Sequence, residues 1–424
     1  MNPKVTGEDD TRRLLPHPER NEEPVATADL FTSADEWGPE KIVYVSDRRT
    51  GMQGVLVIDN TARGMGKGGT RMSPTLTVDE TARLARTMTW KWAAADLFYG
   101  GAKAGIRADP TQPNKEAVLR AFARALADEV PAEYVFGLDM GLDERDAAVL
   151  VDELRDRGAA TGLPRALGGT PYDQLGITGH GVAEATAAAA EHLGFDLRGA
   201  RVVVQGFGAV GAAAAHRLHA AGALVIAVSN AHGTVTDPDG LDIEQLVQAR
   251  ENYGEQGLLD SGYTVGGVDD ALDIPCDILI PAAKQDVIDE TLSARLATRL
   301  IVEGANLPTS DSARRILHDR GITVVPDFIA NAGGIIAAAY SMDARRSAFV
   351  VDTGQVLATV ADTLRANTLV VLEQSRKTGL HTRDAALHLA QERVREAMAL
   401  RGQHVCTPQE MLARTGTGPR GDTP

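Results

Sequence analysis

The feature that most constrains the fold is a glycine-rich turn that directly follows three consecutive valines. The β-branched run 202–204 is too short for a helix, and Gly206, Gly208 and Gly211 follow it in the spacing G-x-G-x-x-G. A helical segment, predicted over 212–221, comes next. Such glycines permit a tight bend and close approach of backbone to a pyrophosphate, while the helix N-terminus offers N–H donors. The predicted cofactor-binding residues of the turn are Gly206, Phe207, Gly208, Ala209, Val210 and Gly211.

The same unit has an alternative interpretation as a tight strand-to-helix turn without a ligand. The following pattern favours the dinucleotide-binding interpretation, because short apolar strands recur between helical or glycine-bearing segments. The predicted strands lie at 224–228, 277–280, 300–302 and 323–325. Alternation of this kind predicts an α/β fold with a doubly wound parallel sheet.

The pattern divides the chain into five segments. Helices are predicted over 78–97, 115–129, 143–157 and 182–193, and two long ones over 353–378 and 382–400. The predicted segments are a loose arm (1–32), a substrate-binding and catalytic domain (33–175), a Rossmann-like dinucleotide-binding domain (176–346), C-terminal helices (347–414) and a disordered tail (415–424).

The end of the second strand of the dinucleotide-binding domain bears on the choice of cofactor. An acidic residue here would hold the adenine ribose of NAD, but the sequence has Asn230. An amide can bond a ribose hydroxyl and does not repel a 2′-phosphate as a carboxylate would. Both NAD and NADP therefore stay open as cofactors.

Three lysines occur within 37 positions of one another ahead of the glycine turn. Lys67 lies in a Lys-Gly-Gly segment, Lys91 lies in an otherwise apolar helical stretch, and Lys103 follows a glycine pair. A buried lysine either binds an anion or loses its proton, and both outcomes are chemically useful. Three solvated surface lysines are the alternative interpretation. Lysine is uncommon in this arginine-rich chain, and the clustering favours a functional role.

Asp139 lies in a glycine-flanked loop, between Gly137 and Gly141, rather than on a charged helical face. Its alternative role is a turn or helix cap. Asp143 is the better candidate for that cap, because a helical pattern follows it directly.

Composition excludes several classes of partner. Lysine and arginine number 43 against 58 acidic residues, a net charge of −15, which disfavours nucleic acid and anionic lipid. We find neither a signal-peptide h-region nor a membrane-spanning run in the sequence, and the only cysteines are Cys276 and Cys406. The histidines show no metal-ligand spacing, so no metal is expected. These features predict a cytoplasmic protein.

Together these residues resemble the glutamate, leucine, phenylalanine and valine dehydrogenase superfamily, most closely its glutamate dehydrogenase branch, from about Gly51 to Gly402. The motifs that carry the resemblance, besides the glycine turn, are Lys67-Gly68-Gly69-Thr70-Arg71, Met88-Thr89-Trp90-Lys91, Gly100-Gly101-Ala102-Lys103, Asp139-Met140, Thr178-Gly179-His180-Gly181, Gly304-Ala305-Asn306 and Asn331-Ala332-Gly333-Gly334.

The resemblance implies a two-domain fold with the active site in the cleft between the domains and C-terminal helices that return to the first domain. It implies oxidative deamination of an L-amino acid to a 2-oxo acid and ammonia with NAD or NADP, in a homo-oligomer that is a hexamer if it is like glutamate dehydrogenases. In such an enzyme Lys103 is the base of lowered pKa and Asp139 shuttles protons. Lys91 binds the α-carboxylate, Gly68, Gly69, Asn306 and Asn331 complete the pocket, and Thr178 contacts the nicotinamide amide.

Two positions bear on the substrate side chain in opposite directions. Lys67 matches the lysine that meets the distal carboxylate in glutamate-specific members, whereas Ala338 replaces a serine that those members carry after Asn-Ala-Gly-Gly. Glutamate is therefore favoured, with an aliphatic or aromatic amino acid such as Leu, Val or Phe as the alternative. Two other classes stay open: a non-catalytic nucleotide-binding regulator, and a hydroxy acid dehydrogenase, which would ordinarily use a histidine.

Overall fold

The structure is a computed structural model that describes residues 34–170 and 175–403. The arm predicted over 1–32 and the tail predicted over 415–424 lie outside the described residues. Among the helices that the structure describes, none is long and apolar enough to cross a membrane.

The first part of the chain forms a six-stranded mixed sheet with three helices. Its elements are β1 (Lys41–Asp47), β2 (Met52–Asn60), β3 (Gly66–Lys67), β4 (Thr70–Met72), α1 (Val78–Ala94), β5 (Gly100–Ile106), α2 (Lys115–Ala125), β6 (Tyr134–Val135) and α3 (Glu144–Leu154). Strand β5 is central, because it pairs antiparallel with β2 and parallel with both β3 and β4. Strands β1 and β6 lie at the edges.

Strand β5 is buried along its whole length, although its sequence is rich in glycine. The small residues let α1 pack closely on the strand: a Cβ atom added at Gly101 would lie 2.0 Å from Thr89 Oγ1. Lys103 is carried on this strand and is only 6% exposed. The ammonium group is thus held by a rigid, buried element.

The second part forms a seven-stranded sheet. Its strands are β7 (Arg201–Gln205), β8 (Leu224–Ser229), β9 (Thr234–Thr236), β10 (Thr264–Gly266), β11 (Ile278–Pro281), β12 (Leu300–Val302) and β13 (Thr323–Val325). The order is β10-β9-β8-β7-β11-β12-β13. The five strands from β8 to β13 in this order are parallel, and β9 and β10 extend the edge as antiparallel strands. The predicted α/β architecture with a doubly wound sheet is confirmed.

Helices cover both faces of this sheet. They are α4 (Ile177–His192), α5 (Ala209–Ala220), α6 (Ile243–Tyr253), α7 (Glu290–Arg295), α8 (Asp311–Asp319), α9 (Asp327–Ala330) and α10 (Gly333–Ala344). Val202 and Val204 pack into the core on one face, and Val203 packs into a separate core on the other. Burial on both faces explains why the valine run shows no polar alternation.

Two long helices end the described chain, α11 (Thr353–Thr378) and α12 (Thr382–Leu400). Their bounds match the predicted ones because the caps are local: Asp352 accepts hydrogen bonds from the first turn of α11, and Gly379 ends it in the left-handed conformation. Helix α12 returns to pack against α1 of the first sheet. Arg393 of α12 donates hydrogen bonds to the carbonyls of Ala93 and Ala94, each at 2.9 Å.

Several predictions of local structure differ from the structure. Helix α2 ends at Ala125 rather than at residue 129, α3 spans Glu144–Leu154 rather than 143–157, and α4 begins at Ile177 rather than at residue 182. Helix α5 begins at Ala209, directly after Gly208, rather than at residue 212, so Gly211 lies within its first turn. Helix α1 ends at Ala94 rather than at residue 97. Strand β5 and helix α10 have no counterpart among the predicted elements, because a glycine-rich strand and a helix that is apolar on all sides lack the usual periodicity.

Replacement of Arg393 by Met should lower the free energy of unfolding by about 1 to 3 kcal/mol, because the last carbonyls of α1 lose their charged donor. Chemical denaturation of the purified protein measures this. Glu396→Gln, an exposed change on the same helix, should stay within about 0.5 kcal/mol of the parent. Equal losses of unfolding free energy in both variants would contradict a stabilising contact between Arg393 of α12 and the end of α1.

Candidate active site

A cavity of about 700 Å³ is lined by residues from both parts of the chain. It brings together all three predicted lysines and Asp139. The lining residues farthest apart in the sequence, Lys67 and Ala338, are separated by 271 positions. The predicted site residues that line it are Lys67, Gly68, Gly69, Lys91, Lys103, Asp139, Thr178, Asn306 and Ala338. Asn331 lies behind this lining and contacts it through Lys91.

Buried Lys103 and half-buried Asp139 form an ion pair on the cavity wall. Lys103 Nζ contacts Asp139 Oδ2. Arg71 Nε lies 3.2 Å from the same oxygen, and Arg71 Nη1 binds Glu80 of α1 at 2.8 Å. The carboxylate of Asp139 is therefore held between two cations, one of which is fixed by a second acid.

The electrostatics of this pair follow from its burial and its partners. Burial lowers the pKa of Lys103, although the negative charge of Asp139 opposes that effect. Burial acts to raise the pKa of Asp139, but Lys103 and Arg71 outweigh it and the pKa is lowered. Lys103 therefore releases its proton more readily than a solvated lysine, beside an aspartate that stays ionised.

Lys91 projects from the last turn of α1 toward the second part of the chain. Its Nζ donates to Asn306 Oδ1 at 2.9 Å and to Asn331 Oδ1 at 3.5 Å. Burial lowers its pKa, and the nearby carboxylate of Asp327 opposes the change. Two neutral amide oxygens leave the positive charge of Lys91 uncompensated by direct contact, so it can bind a carboxylate in the cavity.

Lys67 is 2% exposed and is held by neutral groups alone. Its Nζ donates to Thr161 Oγ1 at 2.9 Å, to Val135 O at 3.1 Å and to Phe136 O at 3.3 Å. Burial, together with the positive charges of Arg345 and Lys103, lowers the pKa of Lys67 to about 7. Lys67 thus lies in the cavity as a cation without an anionic partner.

Close backbone packing shapes the wall between the lysines. A Cβ atom at Gly68 would lie 1.7 Å from Ala102 O, and one at Gly69 would lie 2.8 Å from Asp139 Cβ. Glycine is therefore required at both positions for the segment to lie beside β5 and Asp139. Tyr134 supports it from behind by donating its hydroxyl to Gly68 O at 3.0 Å.

The three glycines of the β7–α5 turn meet different requirements. Gly206 has a φ of +99°, and a Cβ atom there would lie 2.5 Å from Ala283 N. A Cβ atom at Gly211 would lie 1.9 Å from Gly206 O, so this glycine lets the helix pack on its own turn. A Cβ atom at Gly208 would meet no protein atom within 4 Å. The protein itself gives no steric reason for Gly208, which fits a ligand phosphate that approaches this backbone.

The turn is packed directly against elements of the cavity. A Cβ atom at Gly179, next to Thr178, would lie 2.4 Å from Val210 O in the first turn of α5, and Gly304 lies against the Val210 side chain. Thr178 and Asn306 therefore lie where a cofactor bound at the turn would enter the cavity.

Asn230 directly follows β8, but its amide is engaged locally. Oδ1 accepts from the backbone N–H of His232 at 2.9 Å, and Nδ2 donates to Glu255 O at 2.7 Å. The side chain thus shapes the β8–β9 loop. Within 34–170 and 175–403, we find no group of three or more His, Cys, Asp or Glu side chains that could hold a metal ion.

Several residues of the site have no assigned role from sequence reasoning. Arg71 orients Asp139, Thr161 accepts from Lys67, and Asp327 lies near Lys91. Arg71 ends the motif Lys67-Gly68-Gly69-Thr70-Arg71, so its closeness to Lys67 in the sequence indicates a place in the site. Thr161 and Asp327 reach the site through long-range packing, and the sequence around them does not predict that they lie there.

A dinucleotide-binding turn beside a cavity with three lysines defines the class of nicotinamide-dependent dehydrogenases that act on small anionic substrates. Comparison with known proteins narrows this class. Residues 168–402 match the Glutamate/Leucine/Phenylalanine/Valine dehydrogenase family, and residues 39–156 match the Glu/Leu/Phe/Val dehydrogenase, dimerisation domain. The chain belongs to this family and is an amino acid dehydrogenase, as the motifs predict.

Individual relatives support the assignment to this family of amino acid dehydrogenases. The chain is 33% identical over 383 residues to an NADP-specific glutamate dehydrogenase of Saccharolobus shibatae, covering 86% of this chain and 90% of the relative. It is 34% identical over 355 residues to an NAD-specific glutamate dehydrogenase A of Halobacterium salinarum, covering 81% of this chain and 80% of the relative. A crystal structure of the hetero-hexameric glutamate dehydrogenase of Thermus thermophilus matches with a TM-score of 0.74 at 31% identity. The match covers 88% of this chain and 92% of the chain in that structure.

Replacement of Gly208 by Ala should leave thermal stability unchanged, since the added methyl group meets open space. It should weaken NADH and NADPH binding by about tenfold or more, because the pyrophosphate can no longer approach the backbone N–H groups. Fluorescence titration of the reduced cofactor and a thermal melt give the two readouts.

Gly211→Ala provides the contrast, because its methyl group would overlap Gly206 O and should lower the melting temperature. Unchanged cofactor affinity in Gly208→Ala would show that the turn does not bind the cofactor pyrophosphate.

Proposed function

We propose that the protein catalyses the reversible NAD(P)-dependent oxidative deamination of an L-amino acid, with glutamate as the favoured substrate. The observation that carries the proposal is the Lys103–Asp139 ion pair, which faces the same cavity as Lys91 and Lys67. A base of lowered pKa and a carboxylate that can relay protons are the groups that deamination requires together. The products are the 2-oxo acid and ammonia.

Lys91 binds the substrate α-carboxylate in this proposal. Its ammonium group is fixed by Asn306 and Asn331, so it needs little reorganisation on binding. Gly68 and Gly69 provide backbone next to the bound amino acid without side chains that would fill the space. These contacts hold Cα in one orientation.

Lys103 and Asp139 then carry the proton transfers. After hydride leaves Cα, the amino group is an iminium, and water adds to its carbon while Lys103 takes a proton from that water. The resulting carbinolamine loses ammonia: the proton held by Lys103 passes through Asp139 to the amino nitrogen, the C–N bond breaks, and Lys103 takes the hydroxyl proton as the C=O bond forms. One amino acid and one water give one 2-oxo acid, one ammonium ion, one hydride equivalent and one proton.

The cofactor is NAD or NADP, whose nicotinamide ring accepts the hydride when bound. Backbone from Gly206 to Gly211 would hold the pyrophosphate, and Thr178 would contact the nicotinamide amide. Asn230 would lie next to the adenine ribose. No carboxylate ends β8, so a 2′-phosphate meets no direct repulsion there, and relatives specific for either cofactor are known.

The charge of Lys67 supports a distal carboxylate on the substrate. Lys67 has no anionic partner, and Arg345 adds a second positive charge close enough to lower the pKa of Lys67. The hydroxyl of Thr161, 2.9 Å from Lys67 Nζ, also lines the cavity, whereas Ala338 offers no hydrogen-bond donor. A γ-carboxylate would thus find one buried cation and a neighbouring hydroxyl.

A neutral amino acid is the second candidate. Met88, Leu138, Leu142 and Ile335 line the cavity together with Ala338, and these surfaces suit an aliphatic or aromatic side chain. We also propose that the protein is a cytoplasmic homo-oligomer, a hexamer by analogy with its relatives. The match of residues 39–156 to a dimerisation domain supports self-association.

Lys103→Met and Asp139→Asn should each lower kcat for glutamate by about 10² to 10⁴-fold, as expected for loss of a positioned base or acid. Cofactor binding should be retained, because neither residue contacts the glycine turn. Absorbance at the nicotinamide band during turnover measures kcat. Lys377→Met, an exposed change on α11, is the matched control. Full activity in Lys103→Met would refute the assigned role.

The ratio of kcat/KM for glutamate to that for norvaline should fall as pH rises through about 7. Lys67 has a pKa lowered to about 7, so it is protonated below that pH and neutral above it. Only the protonated form attracts a γ-carboxylate, whereas norvaline does not need it. Lys67→Met should give a lower ratio that no longer varies with pH. A wild-type ratio that stays constant across this range would favour the neutral-substrate alternative.

A further inference from the structure

Two loops that follow neighbouring parallel strands are tied to each other by buried carboxylates. The β12 loop (303–307) follows β12, and the β13 loop (326–331), which includes α9, follows β13. Glu303 Oε2 of the first loop accepts from the backbone N–H of Asp327 in the second at 2.8 Å. Asp327 Oδ2 accepts in return from Leu307 N at 2.9 Å. Each loop therefore holds the other, through carboxylates that have no role in the proposed reaction.

The two loops carry the asparagines that hold Lys91. Asn306 Oδ1 accepts from Lys91 Nζ at 2.9 Å and from Asn331 Nδ2 at 3.1 Å. The same Nδ2 atom lies 3.4 Å from the carbonyl oxygens of Gly304 and Ala305. The conformation of the β12 loop thus sets the position of the oxygen that accepts from Lys91.

Leu307, the residue after Asn306, has a backbone conformation that leucine rarely adopts. Its φ is +50°, and it directly precedes Pro308. A residue with a Cβ atom disfavours positive φ, and a residue before proline favours extended backbone. The side chain is 46% exposed, so its burial does little to offset this cost. Two hydrogen bonds hold the conformation instead: Leu307 N donates to the buried carboxylate of Asp327, and Leu307 O accepts from Asp286 N at 2.9 Å.

The carboxylate of Asp327 is itself fixed in place. It is 3% exposed, and Oδ1 pairs with Arg383 of α12. The guanidinium of Arg383 also lies over the ring of Phe328, 5.1 Å from the ring centroid. Burial acts to raise the pKa of Asp327, but the charges of Arg383 and Lys91 outweigh it and the pKa is lowered. Asp327 is therefore an ionised and immobile acceptor for Leu307 N.

The negative charge of Asp327 also acts on Lys91. Burial lowers the pKa of Lys91. Asp327 and Asp139 oppose this effect, whereas Lys103 and Arg383 add to it. Both oxygens of Asp327 are engaged elsewhere, so the carboxylate attracts the ammonium group without occupying its donors. Lys91 thus remains able to donate to a substrate carboxylate.

We propose that Asp327 is a positioning residue that holds Asn306, and through it Lys91, in the geometry that binds the substrate α-carboxylate. Asp327 does not belong to the described residues that line the cavity, so it acts through its neighbours rather than on the substrate. This inference deepens the proposed function and rests on it, because Lys91 receives the α-carboxylate only in an enzyme that acts on amino acids.

Steady-state kinetics with glutamate test this role. Asp327→Ala removes the acceptor for Leu307 N and should raise KM by about tenfold or more. The change in kcat should be much smaller, because the α-carboxylate contact is the same in the bound substrate and in the transition state. Asp327→Asn keeps an acceptor for that N–H, so its KM at pH 7 should lie between those of the parent and Asp327→Ala. Asp319→Asn, an exposed change on α8, is the matched control.

The pH dependence of KM provides a readout that a merely structural role would not change. Loss of the negative charge in Asp327→Asn lowers the pKa of Lys91 further, and only protonated Lys91 attracts a carboxylate. KM should therefore begin to rise at a lower pH in Asp327→Asn than in Asp319→Asn. A KM for Asp327→Ala that equals the control value at every pH, or a loss confined to kcat, would overturn the proposal.

A second pair of variants keeps the proposal testable if Asp327→Ala fails to fold. Leu307→Val and Leu307→Asn change one half-exposed side chain and leave the buried carboxylate of Asp327 in place. Valine is β-branched and strongly disfavours positive φ, whereas asparagine tolerates it. Leu307→Val should therefore raise KM several-fold more than Leu307→Asn. Equal KM values in these two variants would overturn the link through Leu307.

Isothermal titration of the NADPH-loaded protein with 2-oxoglutarate adds a readout that needs no turnover. The Kd should rise in Asp327→Ala by about the same factor as KM and stay at the parent value in Asp319→Asn. A parent that binds 2-oxoglutarate without turnover would count against the proposed function, while the Kd values still decide the role of Asp327. An unchanged Kd in Asp327→Ala, with an active parent, would overturn the positioning role alone. A parent that binds neither 2-oxoglutarate nor 4-methyl-2-oxopentanoate would overturn both.

Discussion

The ion pair between buried Lys103 and half-buried Asp139 is the interaction on which the arrangement of the site depends. A lysine on the central strand of a sheet is costly to bury, and it is tolerated here because Asp139 lies in direct contact. Gly69 must be small for Asp139 to approach, and Lys103 together with Arg71 lowers the pKa of the Asp139 carboxyl. The wall of the cavity is thus built around one pair of charges.

The second part of the chain supplies the glycine turn and the asparagines that position Lys91. The glycine turn prepares a phosphate-binding backbone, and Gly179 and Gly304 bring that turn against the cavity. Asn306 and Asn331 fix Lys91 from the opposite side. Helix α12 holds the two parts together where Arg393 caps the end of α1, the helix that carries Lys91. Substrate and cofactor sites are consequently adjacent although distant in sequence.

Local patterns predicted much of this fold. The valine strand, the glycine turn and helices α11 and α12 depend on periodicity and caps within a few residues, and Asp143 caps α3 as expected. Strand β5 escaped prediction because its pairing with β2 overrides the poor strand propensity of glycine. The three lysines and Asp139 were identifiable as a cluster, whereas Thr161 and the engaged amide of Asn230 are consequences of contacts that local patterns do not contain.

The most direct measurement of the central claim is the stoichiometry of ammonia release to cofactor reduction. The purified protein is incubated with NAD or NADP and, in turn, Glu, Leu, Val, Phe and Trp, and both products are quantified. Oxidative deamination predicts one ammonium ion for each reduced cofactor, with glutamate giving the highest rate. Reduced cofactor without equivalent ammonia, or no reduction with any of the five amino acids, would contradict the proposed reaction.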